Sequence, residues 1–335
     1  MKVQKSSGSF KQIEKDIYQI TLPQPFYLDN HIYLILDEKP LLIDSGYIES
    51  GIYLAKVLKD IGISLNKIKY IFYTHPHIDH ISGGMLLRGY VDHIKTLGHY
   101  LLSTDIPNYM NYVHDWYKET ARFLKISCKT KSESEKKIND FKMDWNSYLT
   151  NLQKQNPRKR PDEIIYIDIP LKENDIISTG KYNFKVIETP GHSKWHLSLA
   201  EENYKWFFSG DLIIGNIPAI YHNWDGNFNL FRNTLDKVLQ YSNYNFFPAH
   251  GNAINNPKKE IRIVQKSLAI IEKSILRSLS IKPKNLREVS ELLFSGKPEN
   301  KEDNWFIALA LIESILKSLT AKKLAKEIKN KYQLY

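Results

Sequence analysis

Five apolar segments of this chain each end at a histidine or an aspartate, with glycine nearby. They are LLIDSG, IKYIFYTH, VIETPGH, WFFSGD and FFPAHG, and the residues at their ends are Asp44, His75, His192, Asp211 and His250. Strand ends in layered α/β proteins converge on one rim, where ligands bind. The pattern therefore predicts an α/β fold with a polar site at one edge of its sheets.

The segment THPHIDHISGG, residues 74–84, places three histidines and an aspartate within six positions. Neutral imidazoles suit borderline metals such as zinc, and carboxylates add charge and can bridge two ions. A polar loop in which histidines happen to cluster is the alternative, and the four other strand ends favour a metal site. Gly83 and Gly84 are predicted to let the backbone turn tightly beside this site.

Apolar patterning predicts strands on both sides of a helical interruption. The predicted strands cover residues 17–22, 31–36, 40–46, 68–74, 164–169, 182–192, 196–200, 205–211 and 244–251. A helix is predicted over 51–62, where apolar residues recur at helical spacing and Gly62 ends the run, and another near 227–241.

Residues 103–160 have helical periodicity and are predicted to form a helical hairpin inserted into the α/β domain. Aromatic side chains recur along both of its arms: Tyr109, Tyr112, Trp116, Tyr117, Trp145 and Tyr148. They would give a lid over the site an inner face suited to an acyl chain or an aromatic ring. Self-packing of the hairpin and a contact between two copies in a homodimer are the alternatives.

Beyond residue 256 no segment is predicted to be a strand, and apolar periodicity predicts three or four helices. We therefore predict a catalytic domain over residues 1–255 and an all-helical domain over 256–335. The second holds 17 Lys and Arg against 9 Asp and Glu, a net charge of +8. Such a surface can attract nucleic acid, although lysine-rich helix faces in a lysine-rich chain are the favoured interpretation.

Composition is typical of a globular protein, with 42% hydrophobic and 25% charged residues. The sequence has no apolar run of about 18 residues, the length of a membrane span, and no stretch typical of a signal peptide. Cys128 is the one cysteine, which excludes an intrachain disulfide and is typical of a reducing compartment. We expect a cytoplasmic protein without membrane contact.

Over about residues 15–255, apart from the insertion, the chain resembles the metallo-β-lactamase superfamily of hydrolases. The motifs that carry the resemblance, in family order and strand context, are HPHIDH at 75–80, TPGH ending at 192, SGD ending at 211 and PAHG at 248–251. The resemblance implies an αββα sandwich with a metal centre at one edge. The helical insertion and the C-terminal helical domain, which resembles a winged helix in position, would be additions to it.

The resemblance also implies the ligands of two divalent metal ions. Those of the first ion would be His75, His77 and His192. Those of the second would be Asp79, His80 and His250, with Asp211 as the bridge between the ions. Zinc is the expected metal, with iron or manganese as alternatives. Two ions about 3.5–4 Å apart can hold a bridging hydroxide at neutral pH and polarise the bond that it attacks.

Four residues near these motifs are expected to support the site. Asp79 would orient the attacking hydroxide as well as bind metal. His196 lies four residues after His192, where the family often has a further histidine, and is expected to assist a ligand or contact the substrate in catalysis. Asp44 is expected to orient a ligand through hydrogen bonds. His222 could face the substrate, although a surface position is favoured for it.

Departures from family patterns narrow the expected substrate. The commonest zinc β-lactamases have cysteine where Asp211 stands, so hydrolysis of antibiotics is not expected. The family's di-iron oxygen reductases have an acid where His77 stands, which favours hydrolysis over redox chemistry. The 38 residues between Asp211 and His250 leave no room for the extra domain of the family's large RNA-processing nucleases. TPGHSKWHLSL and FFSGDLI resemble glyoxalase II and its relatives, which cleave thioesters. We therefore predict hydrolysis of an ester-type carbonyl, with a small-molecule thioester as the first candidate.

Three alternative functions stay open. The C-terminal helices resemble in position a small domain of a mitochondrial single-strand endoribonuclease of the family, so an RNA or phosphodiester substrate is a second hypothesis. An iron-dependent persulfide dioxygenase has a motif close to THPHIDHISGG, but that group usually lacks the insertion and the C-terminal domain. A lactonase would hydrolyse cyclic esters at the same centre.

Overall fold

Two β-sheets form the centre of the protein in the computed structural model, which describes residues 8–23, 29–128, 130–139, 150, 165–215, 217–219, 225–294 and 305–335. The strands of the first sheet are β1 Ser9–Glu14, β2 Ile17–Leu22, β3 Asn30–Ile35, β4 Leu41–Ile43, β5 Tyr70–Phe72, β6 Lys95–His99 and β7 Ile169–Leu171. They lie side by side in chain order. Pairs from β1 to β4 are antiparallel and pairs from β4 to β7 are parallel.

The strands of the second sheet are β8 Ile176–Ser178, β9 Asn183–Glu188, β10 Leu197–Glu201, β11 Trp206–Gly210 and β14 Asn245–Pro248. Their order is β14-β11-β10-β9-β8, with only the β11–β14 pair parallel. Two hairpins lie apart from both sheets: β12 Ile213–Ile214 with β13 Ile217–Pro218, and β15 Ala325–Ile328 with β16 Lys331–Leu334.

Helices cover the outer faces of both sheets. They are α1 Gly51–Ile61, α2 Ile78–Tyr90, α3 Leu102–Asp105, α4 Tyr109–Ser127, α5 131–139, α6 Phe228–Val238, α7 Pro257–Leu279, α8 Leu286–Phe294 and α9 Trp305–Ala321. Among the described residues, no helix combines the length and the apolar character that a membrane crossing requires.

Three hydrophobic cores lie between the layers and pack them together. An aromatic core between the sheets includes Tyr33, Phe184 and Phe208. A second core joins the first sheet to α1, α2 and the start of α4, and a third joins the second sheet to α6 and the C-terminal helices. This arrangement confirms the αββα sandwich. It places the carboxyl ends of β4, β5, β11 and β14 where the predicted site residues stand.

The C-terminal region shares its core with the rest of the protein. Leu268 of α7 and Ile312 of α9 belong to the same buried cluster as Phe231 of α6 and Phe246 of β14. Phe123, near the end of α4, lies in this cluster too. The division of the chain into two domains at residue 255 stays a prediction.

The prediction that residues 256–335 are all-helical is wrong at their end, where β15 and β16 form a hairpin. Lys329 and Asn330 connect the strands with positive φ angles of 49° and 61°, the conformation of a tight two-residue hairpin turn. The charged side chains of AKEI and KYQL conceal the strand pattern. The strand predicted over 164–169 is also misplaced, because residues 165–168 are not in a strand and β7 begins at Ile169, while residue 164 lies outside the described residues.

Gly83 and Gly84 do not form the predicted turn. Both lie inside α2, and they let this helix approach the first sheet closely. A Cβ on Gly83 would lie 2.1 Å from the Ser45 carbonyl oxygen, and one on Gly84 would lie 2.2 Å from the Tyr73 hydroxyl.

Replacement of Gly83 tests this close approach. We expect Gly83→Ala to lower the free energy of unfolding by about 1–3 kcal/mol, because the added methyl must displace α2 from fixed backbone. Gly51→Ala is the matched control, since its methyl would approach the flexible end of Leu86 at 2.9 Å and would be in ordinary contact with backbone, at 3.7 Å from the Gly83 carbonyl oxygen. Urea unfolding of both variants measures the difference. Equal stability of Gly83→Ala and the wild type would contradict the packing described.

Candidate metal centre

Three histidines bring one ring nitrogen each to a common point at the edge of the sandwich. His75 follows β5, His77 precedes the first residue of α2, and His192 lies in the loop between β9 and β10. The facing atoms, His75 Nε2, His77 Nδ1 and His192 Nε2, are separated by 2.9 to 3.1 Å. His75 and His192 are fully buried.

Contacts on the far side of two of these rings identify their protonated nitrogens. His192 Nδ1 donates to the carbonyl oxygen of Ala219 at 2.6 Å. His77 Nε2 donates to the carboxylate of Asp225 at 3.0 Å. A neutral imidazole carries one N–H, so the facing nitrogens His192 Nε2 and His77 Nδ1 hold lone pairs.

The same reasoning applies to His75. Its Nδ1 lies 2.9 Å from Thr74 Oγ1, and the Thr74 hydroxyl donates to Asp44 Oδ2 at 2.8 Å. The threonine oxygen therefore accepts from His75 Nδ1, which leaves a lone pair on His75 Nε2. Three lone pairs about 3 Å apart repel one another unless a cation lies between them. Imidazole nitrogens in this arrangement fit a zinc-like ion.

A second group of candidate ligands lies beside the first. Asp79 and His80 occupy the first turn of α2, and His250 follows β14. His80 Nε2 is 3.6 Å from Asp79 Oδ1, and His250 Nε2 is 3.3 Å from Asp79 Oδ2. His80 Nδ1 donates to Asp44 at 2.8 Å and His250 Nδ1 to the carbonyl of Asp29 at 3.3 Å. Both histidines can therefore direct the lone pair of Nε2 into this group.

Asp211 stands between the two groups. Its Oδ2 is 3.5 Å from His192 Nε2, and its Oδ1 is 3.6 Å from His80 Nε2 and 3.5 Å from His250 Nε2. Within the described residues, neither Asp211 Oδ1 nor His80 Nε2 has a hydrogen-bond partner. A buried polar atom left in this state costs about 1–3 kcal/mol, and a bound cation would remove that cost.

His196 and Gly210 position Asp211. The backbone N–H of Asp211 donates to His196 Nε2 at 3.1 Å, while His196 Nδ1 lies 2.7 Å from Thr189 Oγ1. Gly210 has a φ of 51°, and a Cβ there would lie 2.6 Å from His196 Nε2. Because the ring of His196 is fully buried and both of its nitrogens contact protein, this geometry favours a positioning role over contact with the substrate.

Asp44 connects the two groups of candidate ligands. It has a left-handed backbone conformation with a φ of 61°, which is uncommon outside glycine. Its carboxylate accepts from the backbone N–H and the hydroxyl of Thr74 and from Nδ1 of His80. The orientation of His80 is therefore set by a residue at the end of β4, next to the strand that precedes His75.

Strand β3 holds the loop that carries His250. His31 donates its backbone N–H to the carbonyl of Ala249, and its Nε2 contacts the carbonyl of Gly251, both at 2.7 Å. The buried hydroxyl of Tyr33 donates to the carbonyl of Pro248, the last residue of β14, at 2.7 Å. The sequence assigned no role to His31, and the structure gives it this structural one.

Asp225 was not predicted from the sequence. Its buried Oδ2 accepts hydrogen bonds from His77 Nε2 and from the hydroxyl of Tyr112, at 3.0 and 3.1 Å. The stretch NWDG carries one weak signal for it, an aspartate beside a glycine in the segment after the strand predicted over 205–211, but only the nearby His222 was considered there. That histidine lies outside the described residues.

The first arm of the insertion packs on the site. Tyr109 and Tyr112 of α4 are buried, and the hydroxyl of Tyr109 donates to the carbonyl of Pro76 at 3.2 Å. Trp116 and Tyr117 are partly buried against the core that joins the first sheet to α1 and α2. The predicted positions Trp145 and Tyr148 lie outside the described residues.

Burial keeps three histidines neutral. It lowers the pKa of His75 and of His196 well below the ordinary value, and that of His192 to about 4. Neighbouring histidines lower the pKa of His75 further. Neutral imidazole is the form that binds a metal.

Interactions between opposite charges determine the pKa shifts in the second group. Burial alone would lower the pKa of His80 and His250, but nearby carboxylates, chiefly Asp79 and Asp211, raise both. Burial in turn would raise the pKa of the two aspartates, yet His80 and His250 hold the pKa of Asp79 at about 2 and that of Asp211 well below its usual range. In the second group, the histidines and the carboxylates therefore stabilise one another's charged forms.

Comparison with known proteins identifies the family. The sequence matches the Metallo-beta-lactamase superfamily over residues 28–250, and the chain belongs to that superfamily. It is 32% identical over 136 residues to a Beta-lactamase-like protein 2 homolog of Drosophila melanogaster. It is 41% identical over 59 residues to a Hydroxyacylglutathione hydrolase of Bdellovibrio bacteriovorus. These alignments cover 39% and 18% of this chain, and only 44% and 24% of the two relatives.

A solved structure extends the comparison to the whole fold. A metallo-beta-lactamase family protein from Thermus thermophilus aligns over 97% of this chain and 100% of its own, with a TM-score of 0.70 and 17% identity. At this identity the match shows a common fold.

The pH dependence of stability tests the environment of the buried histidines. In metal-free protein, His75, His192 and His196 bind protons less readily when folded than when unfolded. We expect the free energy of unfolding to fall as pH drops from about 6.5 toward about 4, by about 1.4 kcal/mol per pH unit for each such proton. The raised pKa values of His80 and His250 have the opposite effect on the free energy of unfolding. Their stabilising contribution is complete below about pH 6.5 and is lost only as pH rises above that value.

Thermal unfolding of chelator-treated protein across this range measures the effect. His192→Gln removes one titrating group and should make the dependence on pH shallower. A wild-type midpoint that does not change between about pH 6.5 and 4 would contradict the burial described for these rings.

Proposed function

We propose that this protein is a dinuclear metallohydrolase that cleaves an ester-type bond, with a small-molecule thioester as its substrate class. The observation that carries the proposal is the position of Asp211. Its two carboxylate oxygens lie 3.5 Å from the nearest nitrogens of two separate ligand groups. A carboxylate in this place is suited to bridging two cations.

The proposed ligands follow the two groups. His75, His77 and His192 would hold one ion, and Asp79, His80 and His250 the other. Zinc is the proposed metal, because five imidazoles with two carboxylates suit a borderline cation. A cytoplasmic location belongs to the same proposal and rests on the single cysteine.

Two divalent ions, when bound, would supply a Lewis acid for the scissile carbonyl and a nucleophile derived from water at neutral pH. The protein's own part is orientation. Asp79 is 19% exposed, whereas Asp211 is 4% exposed and His80 is fully buried. Asp79 is therefore the carboxylate best placed to accept a hydrogen bond from the attacking water. Its position in the first turn of α2 also favours a negative charge.

The choice of a thioester is supported by similarity in sequence. The stretch TPGHSKWHLSL resembles glyoxalase II, and the match to a Hydroxyacylglutathione hydrolase covers 59 residues. A hydroxyacylglutathione is a thioester. The buried aromatic side chains of α4 lie next to the loop of His77, and such side chains suit an acyl group.

A phosphodiester of RNA is the second candidate, and the C-terminal region supports it. An isolated β-bridge between Lys284 and Tyr332 joins the residues before α8 to the final hairpin. The elements therefore follow the order α7, bridge, α8, α9, hairpin, which is winged-helix-like. On α7, the side chains of Arg262, Lys266 and Lys273 are exposed along one face. A winged-helix-like unit with a basic face is suited to nucleic acid.

Thiol release from glutathione and coenzyme A thioesters by zinc-loaded protein tests the first candidate. We expect release by the wild type and a loss of more than about 100-fold in Asp211→Ala, because a ligand contributes at least as much as its outer contacts. Asp115→Ala is the matched control, since Asp115 is 60% exposed on α4. It should retain full activity.

Absence of release from every thioester, with metal bound, would overturn the thioester proposal. Cleavage of single-stranded RNA would then be measured between about 50 and 200 mM salt. A steep fall of that activity with salt is expected of a polyanionic substrate, whereas cyclic esters would be hydrolysed with little dependence on salt.

A further inference from the structure

We infer that Tyr112 and Asp225 form a positioning pair that fixes the orientation and the tautomer of His77, so that the helical insertion contributes to binding of the first metal ion. This inference rests on the proposed role of His77 as a ligand. It assigns the insertion a task at the metal centre itself, in addition to any contact with substrate.

The geometry of the pair is specific. Asp225 Oδ2 accepts from His77 Nε2 at 3.0 Å and from the Tyr112 hydroxyl at 3.1 Å. The side chain of Asp225 is completely buried, and that of His77 is 12% exposed. With Nε2–H held by a carboxylate, the lone pair of His77 must lie on Nδ1, the atom that faces His75 and His192.

Asp225 also connects two of the three ligands through its backbone. Its carbonyl accepts from the N–H of Lys194 at 2.7 Å, two residues after His192. The N–H of the nearby Asn227 donates to the carbonyl of Gly191 at 2.8 Å. Asp225 therefore contacts His77 through its side chain and the His192 loop through its backbone.

The helix that carries Tyr112 is fixed at both ends. Near its start, Tyr109 donates to the carbonyl of Pro76, the residue before His77. Near its end, Arg122 forms a bidentate pair with Glu313 of α9, with N–O distances of 2.9 and 2.8 Å. Because α4 is held between the His-rich loop and the C-terminal region, the Tyr112 hydroxyl has a defined position.

Outer contacts of this kind typically change metal affinity by about 10- to 100-fold when removed. Loss of the carboxylate should have the larger effect, because it frees His77 to rotate and to exchange tautomers. Loss of the Tyr112 hydroxyl should have a smaller effect in the same direction, since the hydrogen bond between Asp225 and His77 remains.

Titration with Co²⁺ alone tests the inference, because its visible absorption reports the coordination of each bound ion. The variants are Tyr112→Phe, Asp225→Asn and Asp225→Ala, with Tyr117→Phe on the same helix as the control. We expect wild type and control to bind two equivalents. In Asp225→Ala one equivalent should bind about 10- to 100-fold more weakly, with an altered spectrum, while the other is unchanged.

The conservative variants separate positioning from folding. Asp225→Asn keeps an oxygen acceptor and should restore part of the affinity. In the Asp225→Ala background, Tyr112→Phe should have no further effect, because the hydroxyl acts through the carboxylate. Circular dichroism of the metal-free variants checks that they fold.

Two negative results are distinguishable. Wild-type protein that binds two Co²⁺, with Tyr112→Phe and Asp225→Asn matching it in affinity and spectrum, would overturn this inference alone. Wild-type protein that binds one Co²⁺ would overturn the dinuclear proposal alone if Asp225→Ala weakens the binding of that ion, and this inference as well if it does not. Normal Co²⁺ results without thioester hydrolysis would leave the pair in place and remove only the substrate class.

Discussion

Three unprotonated imidazole nitrogens converge to within 3.1 Å of one another in a buried place, and this crowding explains much of the surrounding structure. Each lone pair is directed inward by a hydrogen bond on the opposite side of its ring. The acceptors are the Thr74 hydroxyl, the Asp225 carboxylate and the Ala219 carbonyl. Without these three partners the rings could rotate or exchange tautomers to relieve the repulsion. The arrangement is stable in the presence of a cation and costly without one.

The sandwich supplies these partners because its two sheets end at the same edge. The first sheet presents Asp44 and His75 from the parallel strands β4 and β5, and the second presents Asp211 and His250 from the parallel pair β11 and β14. Close packing makes the edge rigid, since Gly210 has no space for a side chain beside His196. Function here depends on convergence of strand ends, a property of the fold, as much as on the identity of the ligands.

The seven candidate ligands could be named from the sequence because the motifs HPHIDH, TPGH, SGD and PAHG resemble those of the family, and the pattern of apolar strands indicated that four of their positions share one edge. The residues that orient them could not. His77 and Asp225 are 148 positions apart, and no local pattern links an aspartate in NWDG to a histidine in HPHIDH. His196 was expected near the ligands, but its contact with the Asp211 backbone depends on how β10 and β11 pair. The final hairpin was missed because its strands are short and highly charged, and Gly83 was misread because its neighbours are distant in sequence.

Binding of two metal ions by these seven side chains, with Asp211 between the ions, is the property on which the proposed chemistry depends. Crystals grown with zinc, with data collected at the zinc absorption edge, would locate each ion. We expect two anomalous peaks about 3.5–4 Å apart, one bounded by His75, His77 and His192 and the other by Asp79, His80 and His250. A single peak, or two peaks with Asp211 in contact with neither, would contradict a dinuclear centre bridged by this carboxylate.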